Sequence, residues 1–155
     1  LAQNVPADRL INSVAEYLKE NVKEVQPPEW SLYSKTGTHV SRVPTQDDFW
    51  YLRSASLLRR LYIEGPVGTE RLRTVYGGRM KRGMLNEHGF KSGASSIRKA
   101  LQQLEKAGLV AKDGINGRVL TEKGFSLVDR VAYKLMKDLQ KDMPELGKYL
   151  PVKAK

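Results

Sequence analysis

A mainly α-helical fold built on a winged helix-turn-helix core, with additional N- and C-terminal helices, is what this sequence predicts. Three observations predict it. Between residues 45 and 120 a helix, a short helix, a helix and a hairpin pattern follow one another, the element order of a winged helix-turn-helix. Helical apolar spacing also marks one segment before this core and one after it. Positive charge collects around the third helix of the core instead of spreading along the chain.

The first helix follows Pro6, where Leu10, Val14, Tyr17 and Leu18 recur at helical spacing. Pro27-Pro28 cannot continue it, because proline lacks the backbone N–H and restricts the residue before it. Residues 31–44 read as loop or short extended structure, punctuated by Gly37 and Pro44. A second helix is expected from TQDD, with Thr45 as the cap and Asp48 in the first turn. Trp50, Leu57, Leu58 and Leu61 form its apolar side, and Arg53, Ser56 and Arg60 share another side with Arg59 adjoining. Glu64-Gly65-Pro66 stops it. A short third helix then uses Val67, Leu72 and Val75 and ends at Gly77.

After a basic stretch, Ile97, Ala100, Leu101 and Leu104 give the clearest i, i+3, i+4, i+7 stripe in the chain. Gly108 is placed to end that helix in a left-handed conformation. Two short strands around Gly114 to Gly117 make the hairpin wing over residues 109–120. Thr121 caps a final helix with a Val128, Val131, Ala132, Leu135, Leu139 stripe, and a basic tail after Pro144 is expected to fray. The 155 residues read as a single nucleic-acid-binding domain.

Charge narrows the partner. The chain carries 27 Lys and Arg against 17 Asp and Glu, a net +10. Residues 71–99 hold Arg71, Arg73, Arg79, Lys81, Arg82, Lys91, Arg98 and Lys99 against Glu87 alone, eight positive and one negative for a balance of +7. Residues 1–24 hold three basic and four acidic side chains, a balance of −1. A polyanion is the partner such a distribution fits. There is no cysteine, hence no disulfide or thiolate metal site, and His39 and His88 lack ligand spacing. Neither GxxxxGK[ST] nor GxGxxG nor GxSxG occurs, so no cofactor, metal or catalytic residue is expected. No apolar run approaches a membrane span, and an intracellular, soluble protein is the default expectation.

The stretch VYGGRMKRGMLNEHGFKSGASS, residues 75–96, is the unusual feature. It reads as a basic, glycine-rich loop at about 77–93, in the place where a DNA-reading member has a turn of three or four residues. Gly77 and Gly78 would allow close approach to phosphates, with Arg79, Lys81, Arg82 and Lys91 supplying charge. A bulky basic loop obstructs a major groove, whereas irregular folded RNA is read by shape and backbone. The loop is expected to be mobile in the free protein and to order against RNA. Tyr76 fits a stack on a base less well than packing at the end of its helix. Arg53, Arg59 and Arg60 become binding candidates together with Arg98 and Lys99 if the two helices present one side.

In order, PEW (28–30), FWYLRSASLLRRLY (49–62), GPVGTERLRTVYGGR (65–79), SSIRKALQQLE (95–105), GLV (108–110) and GRVLTEKG (117–124) resemble the S-nineteen-e family of archaeal and eukaryotic small-subunit ribosomal proteins, with archaeal-like wording. The resemblance spans essentially the whole chain. It implies a winged-helix core, residence in the head of the small subunit in the cytoplasm, and binding to small-subunit rRNA beside neighbouring ribosomal proteins. It further implies a role in late subunit maturation and a monomer when free. The family's RNA-facing positions fall on Arg53 and Arg59, on Arg98 with Lys99, and on the YGGR run from Tyr76 to Arg79. The loop centre, MKRGMLNEHGFKSG, departs from the eukaryotic pattern, so Arg79 carries more of the expectation than Lys81, Arg82 and Lys91. Two other readings of a basic winged helix stay open on the residues: a DNA-binding transcriptional regulator, and a protein-interaction module.

Overall fold

A computed structural model describes residues 1–143 together with 148 and 149. The elements are α1 (Ala7–Asn21), a 3-10 turn (Glu29–Leu32), α2 (Phe49–Glu64), α3 (Thr69–Val75), β1 (Gly78–Arg82), β2 (Leu85–Phe90), α4 (Ala94–Lys106), β3 (Val110–Asp113), β4 (Gly117–Leu120) and α5 (Glu122–Asp142). The basic tail expected after Pro144 lies outside the described residues apart from 148 and 149. The predicted mainly α, winged-helix fold is what these elements build.

The expected stripes form one core. Leu57, Leu58 and Leu61 of α2, Leu72 of α3 and Ile97, Leu101 and Leu104 of α4 are fully buried, as are Leu10 and Leu18 of α1 and Ala132 and Met136 of α5. Burying side chains of this size contributes about 1.5–3 kcal/mol each before entropy is charged. That is enough to override the modest intrinsic preference of any one segment. Tyr17 and Leu135 lie at the margin of the core, while Met136, outside the predicted stripe, is buried. No helix among the described residues is long and apolar enough to cross a membrane.

Local signals set the boundaries. Gly65 leaves α2 at φ 76°. Gly108 ends α4 at φ 72°, with the Leu109 N–H donating to the Leu104 carbonyl at 3.0 Å and the Gly108 N–H to the Glu105 carbonyl at 3.0 Å. This closing pattern satisfies two carbonyls that the helix would otherwise leave bare. Thr121 caps α5 by accepting from the Gly124 N–H at 3.3 Å. The start of α2 differs from expectation. The helix begins at Phe49 with Asp48 at its cap position, and neither Thr45 nor Asp48 caps it through a side chain. Asp48 instead accepts from Lys19 of α1 at 2.7 Å, so the carboxylate joins two helices rather than closing one.

The wing pairs as predicted, antiparallel from Val110 opposite Leu120 to Asp113 opposite Gly117. Val67 adds a rung: its N–H donates to the Arg118 carbonyl and the Arg118 N–H returns to Val67. Gly117, at φ 111°, is required there, since a Cβ would lie 2.6 Å from the Val67 oxygen.

The main correction concerns residues 77–93. They are not a loop but a β-ribbon, β1 and β2, in register from Gly78 opposite Phe90 to Arg82 opposite Leu85, with an irregularity between Met80 and Arg82. Gly83 takes φ 68° in the two-residue turn Gly83-Met84. Glycine in the first turn position suits the twist of a hairpin. Residues 81–89 are all exposed, so no apolar alternation marks the strands. The ladder of backbone hydrogen bonds, not a buried face, defines this element.

Candidate nucleic-acid interface

The ribbon presents Arg79, Lys81 and Arg82 to solvent, and none of them has an ion-pair partner among the described residues. Gly77 and Gly78 serve its attachment. A Cβ at 77 would run into the Phe90 carbonyl oxygen, and one at 78 would lie 2.9 Å from the His39 ring. Gly77, expected to admit phosphates, is thus needed by the fold, because the end of α3 and the end of β2 pass each other backbone to backbone, whereas Gly78 makes room for the His39 side chain.

The root of the ribbon is clamped from two sides. On one side, the Ser92 N–H donates to the Arg73 carbonyl at 2.9 Å and the Arg73 Nε–H donates to the Ser92 carbonyl at 3.0 Å. On the other, the Gly93 N–H donates to Thr36 at 2.7 Å, and Gly37 bridges to Ser92. Lys91 donates to Glu70 at 2.6 Å, and Arg73 donates to the second oxygen of the same carboxylate at 2.8 Å. These two bonds, Lys91 first, hold the Glu70 carboxyl below its ordinary value. The charge of Lys91 is therefore partnered within the protein, in contrast to the three ribbon cations.

This clamp delivers the chain to α4. Arg98 and Lys99 are exposed on that helix and have no ion pair among the described residues. With Trp30, Ser34, Ser95 and Gln102 they line a trough of about 490 Å³. A second trough of about 380 Å³ shares Ser34 and runs past Lys35, Thr38, Arg73 and Lys91 to the ribbon root. Sequence reasoning missed Trp30, Lys35 and Arg73 as members of this surface. Their signal was weak: Lys35 is a single cation in a loop, and Arg73 counted only toward net charge.

The α2 cations behave differently. The Arg53 guanidinium lies 4.2 Å from the centroid of the Tyr76 ring and 5.2 Å from that of Phe49. Burial pushes its pKa down, opposed by Tyr76. Tyr76 itself packs at the helix end and shares a 2.7 Å hydrogen bond with Ser56; burial raises its phenol. Arg60 donates to Glu64 at 2.8 Å. Arg59 is half-buried, and its Nε is buried with no hydrogen-bond partner among the described residues. On the wing, Lys112 and Arg118 both approach Glu105 at 3.7 Å. Among the predicted site residues, the exposed and unpaired charge thus belongs to the ribbon and to α4.

Known proteins match this chain throughout. The family model described as "Ribosomal protein S19e" matches residues 1–138. A relative from Aeropyrum pernix named "Small ribosomal subunit protein eS19" is 51% identical over 96% of this chain and 98% of its own. One of the same name from Thermoplasma acidophilum is 40% identical over 94% of this chain and 96% of its own. "Small ribosomal subunit protein eS19B" of Schizosaccharomyces pombe is 38% identical over 88% and 94%. The family match covers the winged-helix core, the inserted ribbon and most of α5, and by it the chain belongs to the ribosomal protein S19e family.

Proposed function

We propose that this chain acts as one structural unit of the small ribosomal subunit, binding small-subunit rRNA in the head of the particle and supporting late maturation of that subunit in the cytoplasm. One observation carries the RNA assignment. Arg98 and Lys99 on α4 and Lys91 and Arg73 at the ribbon root line adjoining troughs, with Arg79, Lys81 and Arg82 projecting beyond on the ribbon. Phosphates along a folded RNA backbone would meet several cations at once, and release of their counterions supplies the affinity. Arg contributes forked, charge-assisted bonds and Lys a mobile point charge.

The ribbon also favours RNA over duplex DNA. It stands immediately before α4, where a short turn would otherwise leave that helix clear to enter a groove. An irregular RNA surface can accept both projections. The protein is a monomer when free, and other small-subunit proteins border it in the particle.

The test pairs salt dependence with charge reversal. Affinity for small-subunit rRNA fragments falls steeply between low and moderate salt. The variant Arg98→Glu with Lys99→Glu unfolds within about 0.5 kcal/mol of the unmodified chain, since both side chains are exposed. It binds rRNA more weakly, with a salt slope reduced by about 1 for each phosphate that is no longer neutralised. An affinity insensitive to salt, or tighter binding to duplex DNA than to rRNA, would overturn the assignment.

A further inference from the structure

The 3-10 turn leaves three large apolar side chains uncovered within four residues: Trp30 at 38% exposure, Leu32 at 65% and Tyr33 at 81%. Trp30 is not loose. Its ring meets that of Trp50 edge-on, with centroids 5.7 Å apart and planes at 89°. Trp50 is fixed in turn, because its Nε1–H donates to the side-chain Oε1 of Gln103 at 2.7 Å and the Gln103 Nε2 donates to the Gln26 backbone carbonyl at 2.7 Å. The turn is closed by Ser31 donating to the Pro28 carbonyl, and by the Tyr33 and Ser34 N–H groups donating to the Trp30 carbonyl. The indole is therefore a braced platform whose open part faces a trough.

Of the polar side chains around that trough, Ser34 donates to the Lys35 carbonyl at 3.3 Å and the others are unspent. Gln103 is engaged through both its amide oxygen and its amide nitrogen, but its neighbour Gln102 makes no hydrogen bond among the described residues, and neither does the Ser95 hydroxyl. Arg98 and Lys99 stand in the same trough without acidic partners among the described residues. A rigid aromatic face, hydrogen-bonding groups that can meet a base edge, and two cations for the phosphate are the parts that single-stranded nucleic acid requires. A trough serving phosphates alone would need the cations and not the indole.

The geometry points to this trough as a receptor for one unpaired nucleotide, its base stacked on Trp30 and its phosphate held by Arg98 and Lys99. The assignment rests on RNA being the partner, as proposed above, and adds that the protein captures a nucleotide out of the helix stack.

Trp30 and Trp50 are the two tryptophans, so emission reports the stacking directly. The full-length protein is titrated with a single-stranded oligoadenylate and, separately, with inorganic polyphosphate of similar charge. The oligonucleotide quenches the emission and polyphosphate does not. Trp30→Phe keeps a stacking ring and the buried Trp50, so it binds a labelled oligonucleotide within about threefold of the unmodified chain but shows no quench. Trp30→Ala binds about tenfold more weakly, the loss expected of one base stack. Equal quenching by polyphosphate, quenching that persists in Trp30→Phe, or oligonucleotide and rRNA binding with emission unchanged would each overturn the stacking inference while leaving RNA binding intact. Binding of neither the oligonucleotide nor small-subunit rRNA would remove the RNA reading itself. Capture of an acidic peptide by this trough in place of the oligonucleotide would make it a protein-docking site and overturn the inference as well.

Discussion

Arg53 stacks on Tyr76, with the guanidinium carbon 4.2 Å from the ring centroid. The pair ties the N-terminal half of α2 to the end of α3, at the point where the ribbon begins. A cation over an aromatic ring, partly removed from water, stabilises by about 0.5–2 kcal/mol. Arg53→Ala is therefore expected to lower unfolding free energy by about 1–2 kcal/mol. A double-mutant cycle with Tyr76→Phe, which keeps the ring, and Tyr76→Leu, which removes it, should place the coupling on the ring. Unchanged stability in Arg53→Ala, with RNA binding abolished, would instead make Arg53 a residue that touches RNA directly.

Trp50 supports more than its own volume. It is 1% exposed and braces Trp30 while bonding Gln103. Trp50→Ala should cost about 3–5 kcal/mol, because a large cavity opens and a hydrogen bond disappears with it. Chemical denaturation measures this, and a loss below about 1 kcal/mol would contradict the packing described.

Two ribbon glycines should respond differently. Gly77→Ala drives a methyl into the Phe90 carbonyl, and neither backbone can yield without opening the ribbon root. A loss of about 1–3 kcal/mol is expected. Gly89→Ala meets nothing within 4 Å, so its effect should stay within about 0.5 kcal/mol. If Gly77→Ala folds as stably as the unmodified chain but fails to bind rRNA, the residue belongs to the interface and not to the fold.

The ribbon should also open from its tip and loosen at its root in acid. Residues 81–88 are exposed on both faces and should exchange their free amides rapidly, whereas Ser92 and Gly93 are clamped and should be protected. Protection throughout 81–88 in the free protein would mean the tip is rigid before any RNA arrives. Glu70 adds a pH dependence of definite sign. Its folded pKa is depressed, so its contribution is present above the ordinary carboxylate value of 4.5 and is lost as pH falls through the lower folded value. Protection near Lys91 should fall over that acid range, and Glu70→Gln should lose it already at neutral pH. The same pH response in Glu70→Gln as in the unmodified chain would show that another group is responsible.

The apolar stripes of α2 and α4, the left-handed Gly108, the Thr121 cap and the wing around Gly114 to Gly117 were all legible in the sequence. Each is imposed locally, by helical period, by a conformation that glycine tolerates, or by a side chain three residues from its partner. The ribbon was not. Its strands bury neither face, so selection for a core left no alternation to read, and the Gly83-Met84 turn was its one local sign.

The cations divide along the same line. Composition shows that Arg53, Arg60, Lys91, Arg98 and Lys99 are charged, and helical spacing gives the side of the helix that Arg53, Arg60, Arg98 and Lys99 occupy. That spacing also sets Glu64 one turn from Arg60, an i,i+4 pair. Only the tertiary structure shows that Tyr76 covers Arg53 and that Glu70, twenty-one residues back, takes Lys91, while Arg98 and Lys99 stay open beside Trp30. A charge is neutralised or left available by what lies within a few ångströms of it, and for most of these residues that neighbour is brought there by the packing of distant segments.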